Sequence, residues 1–178
     1  MSMMEVKDRP LIIGVITVSD TRTAENDKGG DKVTELLEAA GHMVKVRTIV
    51  KDDFTEITDT INRWIAVEHL DAIITTGGTG IAVRDVTIES VMSLLTKEIP
   101  GFGEIFRYLS YTEDIGTKAM ASRAIAGVYQ DVLIFSLPGS VGAVTLGITK
   151  LIVPEIRHLV YEDRKSTRLN SSHDQRSR

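Results

Sequence analysis

The segment 75–80, which reads Thr-Thr-Gly-Gly-Thr-Gly, has the residue types of a phosphate-binding loop. Glycines leave the backbone open to the close approach of a ligand, so backbone N–H groups can donate hydrogen bonds to phosphate oxygens, and threonine hydroxyls add further donors. Arg84 and Asp85 follow shortly and add a guanidinium and a carboxylate. The glycines alone would equally suit a tight turn between a strand and a helix, but the threonines and Asp85 favour a ligand site.

Short apolar runs alternate with amphipathic segments along the chain, and this alternation indicates the elements that hold the loop. Residues 11–18 and 71–76 read as buried strands and residues 43–50 as a further strand, and apolar residues at helical spacing separate them. Residues 124–129 and 132–137 read as an antiparallel hairpin. The pattern predicts an α/β fold, a three-layer α/β/α sandwich with a mostly parallel sheet and an antiparallel edge hairpin.

Polar or glycine-containing turns directly follow four of the predicted strands, at Ser19-Asp20 and at residues 51–53, 77–80 and 138–140. Ligands of such folds bind beyond the carboxyl ends of the strands, so we expect these turns to share one edge of the sheet. Carboxylates beside phosphates would repel them unless a cation such as Mg²⁺ lay between. The predicted chemistry is therefore metal-assisted phosphoryl or nucleotidyl transfer. The loop matches neither the Walker A sequence nor the dinucleotide-binding fingerprint.

The composition narrows the class of protein. The chain contains no cysteine, which excludes disulfides and thiolate metal sites and fits a reducing cytosol. No apolar run approaches the roughly 20 residues that cross a bilayer, so we expect a cytoplasmic protein without a membrane partner.

The last fourteen residues, 165–178, lack helical or strand periodicity. We expect a disordered tail derived from vector or adapter sequence, with a basic interaction tail as the alternative, and a single domain over residues 9–164. This tail holds four of the 21 basic and one of the 25 acidic residues, so the rest of the chain has a net charge of −7. An acidic body argues against nucleic acid as a partner.

Five ordered motifs resemble the MoaB/Mog family of molybdenum cofactor biosynthesis proteins, and its protein B branch most closely. They are Val18-Ser19-Asp20, the Thr-Thr-Gly-Gly-Thr-Gly run, Arg84-Asp85-Val86-Thr87, Pro100-Gly101-Phe102-Gly103 and Leu137-Pro138-Gly139-Ser140. The resemblance, over roughly residues 9–160, implies a molybdopterin-binding fold that assembles as trimers or a hexamer. It also implies that ATP and Mg²⁺ are used to adenylylate the terminal phosphate of molybdopterin, in a pathway shared with other molybdenum cofactor biosynthesis proteins.

The same resemblance implies a role for individual residues. Asp52 and Asp85 match the family's acidic positions and would be both the Mg²⁺ ligands and the catalytic residues. Asp20 would lie at the nucleotide or metal side, and Ser140 would bind the pterin phosphate. The full set of predicted substrate- and nucleotide-binding residues is Ser19, Asp20, Thr76, Gly77, Gly78, Thr79, Gly80, Arg84, Pro138, Gly139 and Ser140.

Two functions remain open at this point. Adenylylating members often have Pro-Asp-Glu where this chain has Lys51-Asp52-Asp53, so the chain is either an adenylyltransferase or a non-catalytic molybdopterin-binding or scaffold protein of the same pathway. The paired carboxylates of Asp52 and Asp85 favour catalysis, because the binding of an anion gains nothing from them.

Other polar residues have structural interpretations. Asp53, with Glu56 after it, is predicted to cap a helix, and Thr87 to cap another. Ser140 can cap a helix as well as bind phosphate. We expect the dispersed histidines to lie at the surface, namely His42, His69 and His158.

Overall fold

Within the residues that the computed structural model describes, residue 6 and residues 8–174, a six-stranded sheet forms the centre of the fold. Its strands are β1 (Ile12–Val18), β2 (Met43–Val50), β3 (Ala72–Thr76), β4 (Lys97–Glu98), β5 (Ile125–Tyr129) and β6 (Val132–Leu137). The spatial order is β2-β1-β3-β6-β5-β4, in which β2, β1, β3 and β6 run parallel and β5 runs antiparallel to both of its neighbours. The predicted mostly parallel sheet with an antiparallel edge is confirmed.

Helices connect the strands. They are α1 (Lys28–Ala39), α2 (Phe54–Val67), α3 (Thr87–Leu94), α4 (Pro100–Glu113), α5 (Val141–Gly147) and α6 (Val153–Asp174), with a 3-10 helix at Gly116–Ala121 and a π-helical turn at Ile148–Ile152 between α5 and α6. Gly41 follows α1 with a φ of 83°, the left-handed conformation expected after a helix end. Within the described residues, no helix is both long and apolar enough to cross a bilayer.

Helices cover both faces of the sheet. Successive side chains of a strand point to opposite faces, so the central strands contribute apolar side chains to both helical layers. Ile74 and Phe135 face the layer that contains α1, α4, α5 and α6. Their chain neighbours, Ile73 and Ile134, face the layer that contains α2 and α3. The central strands β1, β3 and β6 are thus buried from both sides, which explains their almost continuously apolar sequences, whereas the edge strand β2 alternates exposed and partly buried residues. Helices on both faces of the sheet give the three layers predicted from the sequence.

The hairpin between β5 and β6 closes through Gln130 and Asp131, whose φ angles are 48° and 60°. Positive φ at both central residues matches the twist of the flanking strands, although neither residue is the glycine that such turns favour.

The predicted tail begins inside the last helix. The backbone of α6 continues to Asp174, and residues 175–178 lie outside the described residues. The proposed domain limits and the origin of residues 165–178 therefore remain predictions.

Candidate functional site

The four strand-end turns meet at the carboxyl edge of the parallel strands. The Ser19 N–H after β1 donates to the carbonyl of Val50 at 2.9 Å, and the Asp52 N–H after β2 donates to Asp20 Oδ1 at 3.1 Å. The Gly77 N–H after β3 donates to the carbonyl of Leu137, the last residue of β6, at 3.1 Å. One edge of the sheet therefore carries all four predicted turns.

The glycine loop depends on the absence of side chains in two ways. Gly77 and Gly78 have φ angles of 86° and 63°, a left-handed conformation that glycine adopts without strain. A Cβ atom on Gly78 would lie 2.8 Å from both carboxylate oxygens of Asp52, and one on Gly139 would lie 3.2 Å from Gly77 Cα. The loop thus packs directly against the carboxylate on one side and the turn after β6 on the other.

Three carboxylates share this edge, those of Asp20, Asp52 and Asp85. Asp52 Oδ1 accepts a hydrogen bond from the Val86 N–H at 3.0 Å, and Asp85 Oδ2 accepts one from the Ala82 N–H at 3.2 Å. Partial burial raises the pKa of Asp52, and the neighbouring charges of Asp85 and Asp20 raise it further. A cation between these carboxylates would relieve both effects.

The carboxylates at this edge fit Mg²⁺ only as part of an incomplete site. Among the described residues, no group of three or more His, Cys, Asp and Glu side chains is arranged to hold a metal ion. Mg²⁺ in phosphate-transfer sites is bound by one or two carboxylates together with substrate phosphates and water. The mutually repelling Asp52 and Asp85 fit that kind of incomplete site, in which the ligand supplies the remaining oxygens.

Two buried hydroxyls beside the loop have no hydrogen-bond partner among the described residues, Thr76 Oγ1 and Thr87 Oγ1. An unpaired buried hydroxyl costs about 1–3 kcal/mol. Thr87 Oγ1 lies directly against Gly78. The predicted cap at Thr87 is wrong, since Val86 is the N-cap of α3, no side chain caps this helix, and Thr87 is its first residue. The Thr87 hydroxyl therefore remains available to form a hydrogen bond with a ligand.

Two pockets flank the glycine loop. The first, called here the carboxylate pocket, has a volume of about 180 Å³ and is lined by Val18, Ser19, Asp20, Thr21, Asp52, Gly78, Arg84 and Asp85. The second, the glycine-loop pocket, has a volume of about 350 Å³ and is lined by Gly78, Thr79, Gly80, Asp85, Ile115, Lys118, Ala121, Ser122, Arg123, Pro138 and Gly139. Gly78 and Asp85 belong to both, so the pockets meet at these residues.

Three predicted binding residues, Thr76, Gly77 and Ser140, line neither pocket. Ser140 is the N-cap of α5, and its Oγ accepts a hydrogen bond from the Ala143 N–H at 3.2 Å. The cap expected as one of its two roles is present. Asp53 likewise caps α2 by accepting from the Glu56 N–H at 2.9 Å, as predicted.

The structure adds two cationic residues that the sequence does not single out, Lys118 and Arg123. Both line the glycine-loop pocket, and Arg123 bonds to carbonyl groups of the loop itself. Each is separated from the loop by more than thirty residues of chain, so no spacing in the sequence indicates the contact. The sequence marks Arg123 only as a charged residue just before the apolar run of β5.

A larger cavity, of about 640 Å³, lies away from this edge, against β4, β5 and α6. It contains none of the predicted site residues. Burial and the charge of Asp131 raise the pKa of Asp163 in its wall. The concentration of glycines, hydroxyls and carboxylates instead identifies the carboxyl edge of the sheet as the candidate site.

Comparison with known proteins shows the family of the chain. Residues 14–158 match the model of a family described as a probable molybdopterin binding domain. The molybdenum cofactor biosynthesis protein B of Staphylococcus carnosus is 58% identical over 157 residues, which cover 87% of this chain and 92% of that protein.

Solved structures show the same likeness. The crystal structure of a molybdenum cofactor biosynthesis protein B has a TM-score of 0.86 and 50% identity, covering 88% of this chain and 98% of that one. A tungsten cofactor synthesizing protein MoaB from Pyrococcus furiosus has a TM-score of 0.78 and 41% identity, covering 87% and 98%.

Proposed function

This chain belongs to the molybdopterin-binding domain family and to molybdenum cofactor biosynthesis, and from this premise we propose that it binds molybdopterin and adenylylates its terminal phosphate with Mg-ATP, releasing pyrophosphate. The reaction joins two phosphate-bearing substrates. A site for it must hold two anions side by side and offset their mutual repulsion.

The observation that carries the proposal is the meeting of two pockets at Asp85 and Gly78. A protein that only binds one pterin phosphate needs one cradle. Here the carboxylate pocket and the glycine-loop pocket share Gly78 and Asp85 as lining residues. Asp52 lies in the carboxylate pocket and contacts Gly78. This arrangement suits the transfer of a group from one ligand to the other.

The chain's residues divide between the two substrates. Ser19, Asp20 and Arg84 would bind the nucleotide in the carboxylate pocket. Pro138 and Gly139 would approach the pterin phosphate from the glycine-loop pocket, with the N–H groups of the loop oriented toward the phosphates. Ser140, already used as a helix cap, would contribute through the start of α5.

Asp52 and Asp85 would hold Mg²⁺, which when bound supplies positive charge to offset the phosphate oxygens in the transition state. In the transfer, an oxygen of the molybdopterin phosphate forms a bond to the α-phosphorus of ATP. The bond from that phosphorus to the oxygen bridging to the β-phosphate breaks, and pyrophosphate leaves with the electron pair. The chain's own part is to align the two phosphates, and no covalent intermediate with the protein is needed.

The test is direct. The protein is incubated with molybdopterin, Mg²⁺ and ATP labelled at the α-phosphate, and both pyrophosphate and the AMP adduct are measured for the wild type and for Asp85→Asn. We expect adduct formation by the wild type and a loss of about 100-fold or more in the variant, the size typical for removal of an electrostatic catalytic group.

Asp53→Asn is the matched control. It makes the same chemical change beside Asp52, but Asp53 serves as the cap of α2 and asparagine is an equally good cap. Adduct formation should therefore persist in this variant. If wild type and Asp85→Asn both bind molybdopterin and neither forms the adduct, the chain is the non-catalytic binding or scaffold protein.

A further inference from the structure

Arg123, in the segment between the 3-10 helix and β5, holds the glycine loop by its carbonyl groups. Its Nε donates to the carbonyl of Thr79 at 2.9 Å, and its Nη2 donates to the carbonyl of Gly80 at 2.7 Å. Nη2 also lies 3.3 Å from the carbonyl of Asp85. One guanidinium therefore joins the beginning and the end of the segment that separates the two pockets.

Glu89, in the first turn of α3, fixes the orientation of this guanidinium. Arg123 Nη1 pairs with Glu89 Oε1, and Nη2 lies 3.3 Å from Glu89 Oε2. The hydrogen bond from Arg123 lowers the pKa of Glu89, so the pair stays ionised at neutral pH. A planar group with donors in a fixed fork can satisfy a carboxylate and several carbonyls at once, whereas a lysine ammonium cannot reproduce that fork.

The contact with Asp85 links Arg123 to a candidate catalytic carboxylate through one peptide unit. The Asp85 carbonyl faces Arg123, and the N–H of the same peptide, that of Val86, donates to Asp52 Oδ1 at 3.0 Å. In a planar trans peptide the C=O and N–H point in opposite directions, so Arg123 lies on one side of this peptide and Asp52 on the other. A hydrogen bond at one end of a peptide also polarises and strengthens the bond at its other end.

The peptides after Thr79 and Gly80 are oriented in the same way. With the carbonyls of Thr79 and Gly80 directed toward Arg123, the N–H groups of Gly80 and Ile81 point away from it. The guanidinium thereby fixes the orientations of these peptide planes in a glycine-rich segment.

We propose that Arg123 is a positioning residue, which orients the peptide planes of residues 79–86 so that the N–H groups of Gly80 and Ile81 face the ligand's phosphates and the Val86 N–H holds the Asp52 carboxylate beside them. The identity of that ligand rests on the proposed function. The control of the loop by Arg123 does not.

The experiment compares Arg123→Lys with Arg47→Lys. Arg47 is a matched control, because it pairs with the carboxylates of Asp27 and Asp31 away from the loop and its side chain is 28% exposed, against 30% for Arg123. Amide hydrogen exchange is first measured in the protein without ligand, for peptides that cover residues 77–87. The same proteins are then titrated with molybdopterin and followed by its fluorescence.

We expect Arg123→Lys to accelerate exchange in residues 79–87 and to weaken molybdopterin binding about tenfold or more, as the loss of charge-assisted hydrogen bonds predicts. Arg47→Lys should change neither. Glu89→Gln, which leaves the carbonyl bonds in place, should give a smaller effect of the same kind and serves if Arg123→Lys folds poorly.

Unchanged exchange in residues 79–87 of Arg123→Lys would overturn the inference whatever the ligand proves to be. Faster exchange with unaltered molybdopterin affinity would overturn it as well, because the loop would then be held for stability alone. Failure of the wild type to bind molybdopterin would count against the proposed function, and the exchange result would still decide whether Arg123 orders the loop.

Discussion

Among single residues, Gly78 both adopts the turn conformation of the loop and leaves space for the polar groups beside it. Its left-handed φ of 63° closes the turn, and its missing side chain leaves room for the carboxylate of Asp52 and the hydroxyl of Thr87. Gly80 similarly leaves room for Asp85, since a Cβ atom there would lie 2.5 Å from Asp85 Oδ2. The glycines therefore place the acidic groups as well as exposing the loop backbone.

Replacing Gly78 by alanine should reduce stability and displace Asp52. The left-handed conformation costs a residue with a Cβ about 1–2 kcal/mol, and crowding against Asp52 adds about 1–3 kcal/mol. The free energy of unfolding in urea measures the sum. Molybdopterin binding should weaken in the same variant, because Asp52 can no longer occupy its place.

Gly41→Ala separates the two costs. Gly41 has a φ of 83° and would meet no atom within 4 Å, so its substitution introduces backbone strain without crowding. In this variant the free energy of unfolding should fall only by the cost of backbone strain, about 1–2 kcal/mol, and molybdopterin should bind normally. Equal losses of stability in the two variants would contradict the packing that we describe at Gly78.

At the scale of elements, the start of β1 is tied to the rest of the fold by polar groups as well as by packing. Arg9 donates to both carboxylate oxygens of Asp71 at 2.8 Å, and Arg164 of α6 pairs with the same carboxylate. Burial alone raises the pKa of Asp71, but the hydrogen bonds from Arg9 and the Ile12 N–H, together with the charge of Arg164, bring it below its ordinary value. This carboxylate therefore contributes stability that persists at neutral pH and is lost only in strong acid.

His42, between α1 and β2, contacts the same segment. The expectation that this histidine lies at the surface is wrong, since its side chain is buried and Nδ1 accepts a hydrogen bond from the Leu11 N–H at 3.3 Å. His69 and His158 are exposed, as predicted. Burial lowers the pKa of His42, as does the charge of Arg157, while Asp71 acts in the opposite direction. The imidazole is therefore neutral in the folded protein.

Stability should fall as the pH drops below the ordinary histidine pKa of about 6.5. The unfolded chain then binds a proton at His42 that the folded protein does not bind, so the contribution is present in full above this pH and is lost below it. His42→Gln keeps a hydrogen-bond acceptor without the titration. Urea unfolding at about pH 7.5 and pH 5.5 should show a smaller loss of stability in this variant than in the wild type. An identical loss in both proteins would show that His42 does not cause it.

At the scale of the whole molecule, we expect self-association. The family resemblance implies trimers or a hexamer, and an exposed apolar groove on one flank of the molecule supports this. The groove has a volume of about 510 Å³ and is lined in part by Tyr108, Tyr111 and Met120, of which Met120 is 91% exposed. Light scattering during size-exclusion chromatography should give three or six times the 19.6 kDa of the chain.

Tyr108→Glu should lower that mass, because a charge in an apolar interface is costly. Val67→Glu is the control, since Val67 is 58% exposed at the end of α2 and lies outside the groove. A wild-type mass of one chain would refute the expected assembly. An unchanged mass in Tyr108→Glu would place the interface elsewhere, and a reduced mass in both variants would show that the loss is not specific to the groove.

The local part of the site can be predicted from the sequence. The prediction that residues 75–80 bind phosphate rests on residue types alone, because glycine and threonine would act there through their own backbone and hydroxyl groups. The strands before it are recognisable since burial on both faces demands an apolar run. The cap at Asp53 is predicted correctly for the same reason, as its partner lies three residues away.

Contacts between distant segments could not be predicted in this way. Thr87 has the residue type of a cap, but the start of α3 is set one residue earlier, where the Val86 N–H donates to Asp52 across the sheet edge. His42 has a polar side chain, yet it is buried because the Leu11 N–H donates a hydrogen bond to its Nδ1 inside the fold. In both cases a partner that lies far along the chain overrides the local preference.

Short-range patterns in the sequence predict the layered fold and the residue types that collect at the carboxyl edge of the sheet, because periodicity and turn chemistry act over short distances along the chain. Contacts made only in the folded chain place Asp85 and Gly78 in the walls of both pockets, leave the hydroxyls of Thr76 and Thr87 without a hydrogen-bond partner among the described residues, and bring Arg123 to the carbonyls of the glycine loop. These features depend on the positions of groups that folding brings together from separate segments, and such positions leave no regular spacing in the sequence.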